Sequence, residues 1–249
     1  MAGSLYLQGY DGLAFVLGWT GGYVLVAILI APFLRKFGAY TVPDFFSERY
    51  GGGLARFLAV IVLIVCSFTY VVAQIRGTGL IAQQFLDMPY DVAVYVGLGG
   101  ILLCSMLGGM KAVTWTQVAQ YIVLIIAYLT PVVILSAKKF GLPIPQFTYG
   151  QAISQIGALE QNMLQQGLAD AKTLKLHAVP FQIRDPLNYF LLILCLMVGT
   201  ASLPHILMRY FTTPSVREAR KSVAWSLFFI FLLYFTAPAY AAFAKLEVY

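Results

Sequence analysis

Charged residues are scarce in this sequence. Only 10% of its 249 residues are Asp, Glu, Lys or Arg, whereas a typical soluble domain has about 25%. Hydrophobic residues make up 60% of the chain, and the mean hydropathy is +0.81. This composition excludes an ordinary soluble domain and predicts an integral membrane protein. The net charge of +6 therefore does not by itself indicate nucleic-acid binding, because basic residues of membrane proteins concentrate in cytoplasmic loops.

Residues that bind metals or carry out catalysis are also few. The cysteines, Cys66, Cys104 and Cys195, lie in apolar runs and show no metal-ligand spacing. We expect His177 to be an exposed loop residue without a partner set and His205 to be hydrogen-bonded locally. The sequence has no phosphate-binding glycine loop, no nucleophile–histidine–carboxylate set and no pair of intramembrane carboxylates. We therefore expect no enzyme activity, no bound cofactor and no metal centre.

Long apolar runs dominate what remains. A transmembrane helix needs about 20 apolar residues, and six runs with few or no charges reach that length. The predicted spans are residues 13–34, 57–86, 92–110, 112–137, 187–208 and 222–244.

The basic residues favour one side of the membrane. Residues 35–56, the turn at Lys111 and residues 209–221 carry most of them, which predicts a cytoplasmic location. Residues 138–186 then form a long extracytoplasmic loop, in which Lys138 and Lys139 count against the rule. Both termini are placed outside by this topology. An outside N-terminus normally follows a signal sequence or an earlier helix, so we expect an upstream region with at least one further span.

Each of the two long loops has a helical pattern. In residues 35–56, Thr41 is suited to cap a short helix that begins near Pro43, with Asp44 in its first turn. Its aromatic residues, Phe45 and Phe46, would face the membrane, although these residues alone fit an anchored connecting loop. In the outer loop, residues 152–168 predict a glutamine-rich helix that covers the outer surface rather than acting as a lid.

The fifth predicted span contains a polar break. It holds Gly199, Thr200 and Ser202, followed by Pro204, which removes a backbone donor and favours a kink. A loosened helix with free hydroxyls at membrane depth is tolerated only where it faces protein or a water-filled path. Transporters build solute sites from such broken helices.

The second span carries the clearest intramembrane charge, Arg76. Thr69 lies on the same helical face and Gln74 lies beside it. A buried arginine is usually paired or faces water, and its planar fork suits a carboxylate. Two interpretations stay open: either Arg76 contacts a solute, or it has a structural role in which it extends outward or pairs with a structural carbonyl.

Polar residues also cluster where the fourth span begins. Gly108 and Gly109 permit a sharp turn before it, and Thr114, Thr116 and Gln117 occupy its first turns. A capped helix entry, with hydroxyls bonded to the backbone, accounts for most of these side chains. The rival interpretation is a ligand role for these residues.

Four segments resemble the sodium:solute symporter family. They read GYDGL, TVPDFFSERYGG, GGMKAVTWTQVAQ and GTASLPHILMRYFTTPSVREARKS. The third is similar to the family pattern GG-[LM]-x-A-V-x-W-T, and the fourth is very similar to the cation/acetate permease branch. The resemblance covers nearly the whole chain. Where sugar-carrying relatives have an amide and tyrosines near the solute, this chain has the apolar run at residues 196–199, which argues against a sugar.

The resemblance implies an all-α integral membrane protein with about six transmembrane helices, forming part of a LeuT-type inverted-repeat transporter core. Residues 1–249 would be a single membrane domain, with residues 1–9 as the tail of the first core helix and the six spans as core helices two to seven. The family's sodium site uses the first and eighth core helices. The chain is therefore expected to be an internal fragment that lacks N- and C-terminal helices of the full carrier and does not transport alone.

The function implied is sodium-coupled symport of a short monocarboxylate such as acetate across the inner (plasma) membrane, with Na⁺ as the coupling ion. The substrate-binding hypothesis names Arg76, Gln74 and Thr69 together with the break residues, and the ion-pathway hypothesis names Gln117 and Thr116. Many family members have aspartate where this chain has Gln117, which fits the acetate branch and leaves the ion path open. The alternative is a symporter-like sensor or membrane scaffold that binds a solute without moving it.

Overall fold

The computed structural model describes residues 1–38, 41–168, 174–211 and 213–249, apart from the side chain of Met110. Every regular element in these ranges is helical. A 3₁₀ turn, Gly9–Gly12, separates the first two α-helices, and a π-helical turn, Val26–Ile30, follows the second. The α-helices are α1 (Ala2–Gln8), α2 (Leu13–Leu25), α3 (Ala31–Phe37), α4 (Val42–Tyr50), α5 (Gly53–Leu86), α6 (Tyr90–Phe140), α7 (Pro145–Gln165), α8 (Pro186–Ala201), α9 (Pro204–Phe211) and α10 (Val216–Val248).

The predicted membrane spans are confirmed. Within the described ranges, five helical stretches are long and apolar enough to cross a bilayer: Ala2–Phe37, Gly53–Leu86, Tyr90–Gly109, Lys111–Phe140 and Val216–Val248. The pair α8 and α9 passes the same test as one bent span, which makes six. The chain is an all-α, multi-pass membrane protein.

Both predicted interruptions occur where the sequence placed them. Gly109 divides α6 with φ 55° and ψ −159°, a conformation that side chains with a Cβ rarely adopt. Pro204 starts α9, and α8 and α9 meet at 41°. The π-helical turn had no counterpart among the sequence predictions.

The chain divides into two compact units, which are described separately. The larger unit consists of Met1–Gly38 and Ile125–Tyr249, and α10 lies at its centre. Phe243 of α10 is fully buried and packs with Val132 of α6 and Ile156 of α7. Elsewhere on α10, Ala241 packs with Leu5 of α1. These contacts join α1, α6, α7 and α10 in one core.

Helix α7, which lies in the predicted extracytoplasmic loop, is attached to its neighbours along most of its length. Its buried residues recur every three or four positions, as expected for one helical face. Thr148 and Ser136 share a hydrogen bond of 2.8 Å, and Gln146 donates to the Thr236 hydroxyl at 2.9 Å. The predicted helix at residues 152–168 exists, but it begins at Pro145, because proline is well suited to the first turn of a helix. The covering role of this helix stays a prediction.

The smaller unit, Ala39–Leu124, contains α4, α5 and the first part of α6. The cap predicted for α4 is confirmed: Thr41 Oγ1 accepts from the Asp44 amide at 3.2 Å, and Asp44 pairs with Arg56 of α5 at 3.0 Å. A Cβ at Gly79 of α5 would lie 2.6 Å from Val94, so α5 and α6 approach closely there. The membrane-facing orientation of the α4 aromatics stays a prediction. The predicted loops at residues 35–56 and 138–186 each include positions outside the described ranges.

Candidate functional site

The broken span α8–α9 lies against α2 through a row of glycines. A Cβ at Gly18 would be 2.5 Å from the Cβ of Leu196, and a Cβ at Gly22 would be 2.5 Å from the Cβ of Thr200. A Cβ at Gly21 would be 2.8 Å from the side chain of Met197. Contacts under 3.0 Å are essentially never seen for real Cβ atoms, so only glycine permits this approach. The glycines therefore allow α8 to approach α2 closely as far as the break.

The break itself leaves backbone groups outside regular helical pairing. The amide of Ser202 still bonds to the Val198 carbonyl at 3.0 Å, and the amide of Leu203 makes a tighter turn by bonding to Thr200 at 3.4 Å. Pro204 then has no N–H to donate. The last carbonyls of α8 carry partial negative charge and the first amides of α9 partial positive charge. Such a junction attracts a cation on one side and an anion on the other.

The three predicted break residues face different ways. Thr200 is buried against Gly22, whereas Gly199 and Ser202 are exposed. The Ser202 hydroxyl donates to the Gly199 carbonyl at 3.1 Å. In this rotamer its oxygen is left as an acceptor, which suits a cation better than a carboxylate.

The other predicted residues lie in the smaller unit. Arg76, Gln74 and Thr69 are exposed along α5, and Arg76 makes no ion pair with any carboxylate in the described ranges. The Thr69 hydroxyl donates to the Val65 carbonyl at 2.9 Å. The hydrogen on this hydroxyl is therefore already engaged.

Thr116 and Gln117 follow the Gly109 kink on α6. The Thr116 hydroxyl donates to the Ala112 carbonyl at 2.8 Å, which is the backbone bonding expected of a helix entry. Its oxygen remains able to accept. The predicted substrate-binding residues are thus divided between the two units, and their assembly into one site stays a prediction.

A buried polar cluster in the larger unit was missed by sequence reasoning. Glu160 of α7 is 1% exposed and Lys245 of α10 is 6% exposed, and they form an ion pair of 2.7 Å. The amide of His177 donates to both carboxylate oxygens of Glu160, at 2.9 and 3.2 Å. The negative charge of Glu160 is therefore well compensated despite its burial.

His177 does not match its prediction. The expectation of an exposed, solitary residue is wrong, because His177 is only 5% exposed. Burial, and secondarily the nearby Lys245 ammonium, lower the pKa of His177 from 6.5 to about 4, whereas Glu160 opposes the shift. The imidazole is therefore neutral at neutral pH. No spacing rule reveals this environment, since its partners are supplied by distant helices.

A second buried carboxylate lies at the junction of α1 and α2. Asp11 is 1% exposed, and its two oxygens accept from the amides of Phe181 and Ile183 at 2.9 and 2.6 Å. The Tyr10 amide donates to the His177 carbonyl at 2.9 Å. These bonds hold the segment that leads into α8 against the start of α2.

Comparison with known proteins identifies the family. The model of the sodium:solute symporter family matches residues 1–246. The chain belongs to the sodium:solute symporter family. An uncharacterised symporter of Cupriavidus necator is 40% identical over an alignment of 342 positions, which covers 100% of this chain and 50% of the relative. The chain thus spans about half the length of this curated relative. No solved structure matches the chain.

Two kinds of polar group stand out along the described spans. Backbone and hydroxyl oxygens at the α8–α9 break and just after the Gly109 kink of α6 are oxygen ligands of the kind that a hard cation prefers. The Arg76 guanidinium is a donor suited to an anion.

Proposed function

We propose that this chain is part of a sodium-coupled symporter for a short monocarboxylate such as acetate, in the inner (plasma) membrane. The observation that carries the proposal is the bent span α8–α9, whose polar break lies within an otherwise apolar helix of a sodium:solute symporter. Discontinuous helices supply the backbone groups that bind ions and solutes in secondary transporters.

Na⁺ is the coupling ion in this proposal. It requires oxygen ligands that do not need to donate a hydrogen. Ser202 and Thr116 have hydroxyl hydrogens committed to backbone carbonyls, so their oxygens are oriented as acceptors. Gln117 lies next to Thr116 and adds an amide oxygen to the proposed ion route.

The carboxylate of the solute is assigned to Arg76. An arginine within an apolar span is destabilising by a few kcal/mol unless an anion, backbone or water compensates its charge. No carboxylate in the described ranges forms an ion pair with it, so an anionic solute would supply the missing charge. Thr69 lies on the same face of α5 as Arg76 and can contribute after its hydroxyl rotates away from Val65. Gln74 is two positions from Arg76 and projects from another side of the helix, so it is the weaker member of the proposed set.

The Arg76→Ala variant tests this assignment. Uptake of radiolabelled acetate is measured in cells that lack their own acetate carriers and express the protein as its gene encodes it. We expect Arg76→Ala to abolish saturable uptake while the amount in the membrane fraction stays unchanged. Arg56→Ala, at the other end of α5, is the matched control and should retain uptake, since Arg56 pairs with Asp44 on the surface.

Three results are informative. Unchanged uptake by Arg76→Ala would exclude the carboxylate role. Saturable binding of acetate without uptake by the unmodified protein would favour the sensor or scaffold alternative. Recovery of the protein outside the inner-membrane fraction would contradict the proposed location.

A further inference from the structure

Residues 174–185, here called the strap, directly precede α8 in the chain. The strap has no helix of its own, and its path is set by hydrogen bonds to other elements. At its end, Asp185 caps α8 by accepting from the Asn188 amide at 3.4 Å. The position of the strap therefore determines where the broken span begins.

Two buried carboxylates hold the strap from different elements. Glu160, on α7, binds the amide of His177 near the beginning of the strap. Asp11, at the α1–α2 junction, binds the amides of Phe181 and Ile183 near its end. Phe181 has φ 58°, which is uncommon for a residue with a side chain, so the strap turns sharply between its two attachments.

The Asp11 carboxylate differs from that of Glu160 in how its negative charge is compensated. Glu160 has the ammonium of Lys245 at 2.7 Å, whereas Asp11 makes no ion pair in the described ranges. A buried charge that relies on backbone amides is destabilising relative to a neutral residue unless its geometry is well matched. Asp11 has such a match, because each of its oxygens accepts one amide of the strap.

The 3₁₀ turn Gly9–Gly12 and α2 therefore hold α8 at two points. Asp11 fixes the strap just before α8 begins, and Gly22 contacts Thr200 just before α8 ends. Between these points α8 is one continuous helix of 16 residues that rises about 1.5 Å per residue. Because such a helix is stiff along its axis, a shift at one end displaces the other end. A displacement of the strap would move the break relative to α2.

We propose that Asp11 is a positioning residue for transport: it sets the height of α8 along α2, and so places the break residues Gly199 and Ser202 for the solute and its coupling ion. This inference rests on the proposed function. Asp11 need not touch solute or ion. It acts through the amides of Phe181 and Ile183 and through the rigid α8.

The Asp11→Asn variant tests the inference. Asparagine keeps the shape of the side chain but replaces one acceptor oxygen with an NH₂ group, which faces an amide donor of the strap. Initial rates of acetate uptake are measured against acetate concentration. We expect the KM for acetate to rise by about tenfold, since one charge-assisted hydrogen bond to the strap is replaced by a repulsive contact. The maximal rate per molecule in the membrane should change much less.

Glu160→Gln is the matched control. It weakens the other attachment of the same strap, on α7, and leaves the Asp11 attachment to α2 intact. We expect it to lower the amount of folded protein while the KM stays within about twofold of the unmodified value. Equal KM values for both variants would show that the strap is only structural and would overturn the inference.

Asp11→Glu keeps the test decisive if Asp11→Asn does not reach the membrane. Glutamate retains the charge but moves the carboxylate outward by one carbon, so α8 should shift without loss of the hydrogen bonds. We expect at least a threefold rise in KM, and an unchanged KM would overturn the inference. Absence of saturable uptake by the unmodified protein would instead overturn the proposed function, and the inference with it.

Discussion

Breaking the buried ion pair between Glu160 and Lys245 should strongly destabilise the larger unit. Glu160 is 1% exposed, and its carboxylate lies 2.7 Å from the Lys245 ammonium. The Glu160→Gln variant keeps an acceptor for the His177 amide but leaves the Lys245 charge without its partner. Lys245→Met produces the opposite defect, a buried carboxylate without its ammonium.

The magnitude follows from the burial of both groups. Removing one partner of a buried pair reduces the free energy of unfolding by about 3–5 kcal/mol, because the remaining charge stays desolvated. At about 2–4 °C per kcal/mol for a chain of this size, the melting temperature should fall by roughly 10 °C. The double variant, which combines Glu160→Gln with Lys245→Met, should be more stable than either single variant, since neither buried charge of the pair remains.

Glu247→Gln is the control for this experiment. Glu247 pairs with Lys139 at 3.1 Å, but its side chain is 49% exposed, so its loss should change the unfolding free energy by less than about 1 kcal/mol. Unfolding by sodium dodecyl sulfate in mixed micelles, followed by tryptophan fluorescence, measures all four variants. If Glu160→Gln is no more destabilising than Glu247→Gln, or if the two single changes simply add, the assignment of a strongly coupled buried pair is wrong.

Three further predictions concern local packing and charge. Gly22→Ala should reduce the unfolding free energy by about 1–3 kcal/mol, because a Cβ would lie 2.5 Å from Thr200. Gly157→Ala, on an open face of α7, is the control and should be neutral or slightly stabilising. Equal shifts in melting temperature for the two variants would contradict the close packing. Unfolded His177 binds a proton near pH 6.5 and the folded residue only near pH 4, so stability should fall by up to about 1.4 kcal/mol per pH unit as the pH decreases through that window. His177→Gln should flatten this dependence in denaturant titrations, and an unchanged slope would refute it. Thr41→Ala should reduce amide protection throughout α4 in hydrogen exchange by about 1 kcal/mol, and unaltered protection would show that the cap is dispensable.

Features that depend on local sequence were predictable. The six spans follow from the length and hydropathy of each run, and the kinks at Gly109 and Pro204 follow from the special backbones of these two residues. The cap at Thr41 follows from the hydrogen-bonding chemistry of its side chain. None of these features requires knowledge of what lies nearby in space.

Features that depend on contacts between distant residues were not predictable. Glu160 and Lys245 are 85 positions apart, and Asp11 and Ile183 are 172 positions apart. A lysine near the end of an apolar helix is typical of a surface anchor, so its burial shows only when α7 packs on α10. His177 was mistaken for an exposed residue for the same reason. That Arg76 and the α8 break contribute to one solute site stays a prediction.

Sodium-driven accumulation of acetate is the measurement that tests the central claim most directly. The protein, as its gene encodes it, is purified and reconstituted into liposomes, and uptake of radiolabelled acetate is followed with an inward Na⁺ gradient or with choline in its place. We predict accumulation above the equilibrium level only with the Na⁺ gradient, and its collapse when a sodium ionophore is added. Acetate uptake that is independent of Na⁺, or acetate binding without accumulation, would contradict sodium-coupled symport of a monocarboxylate.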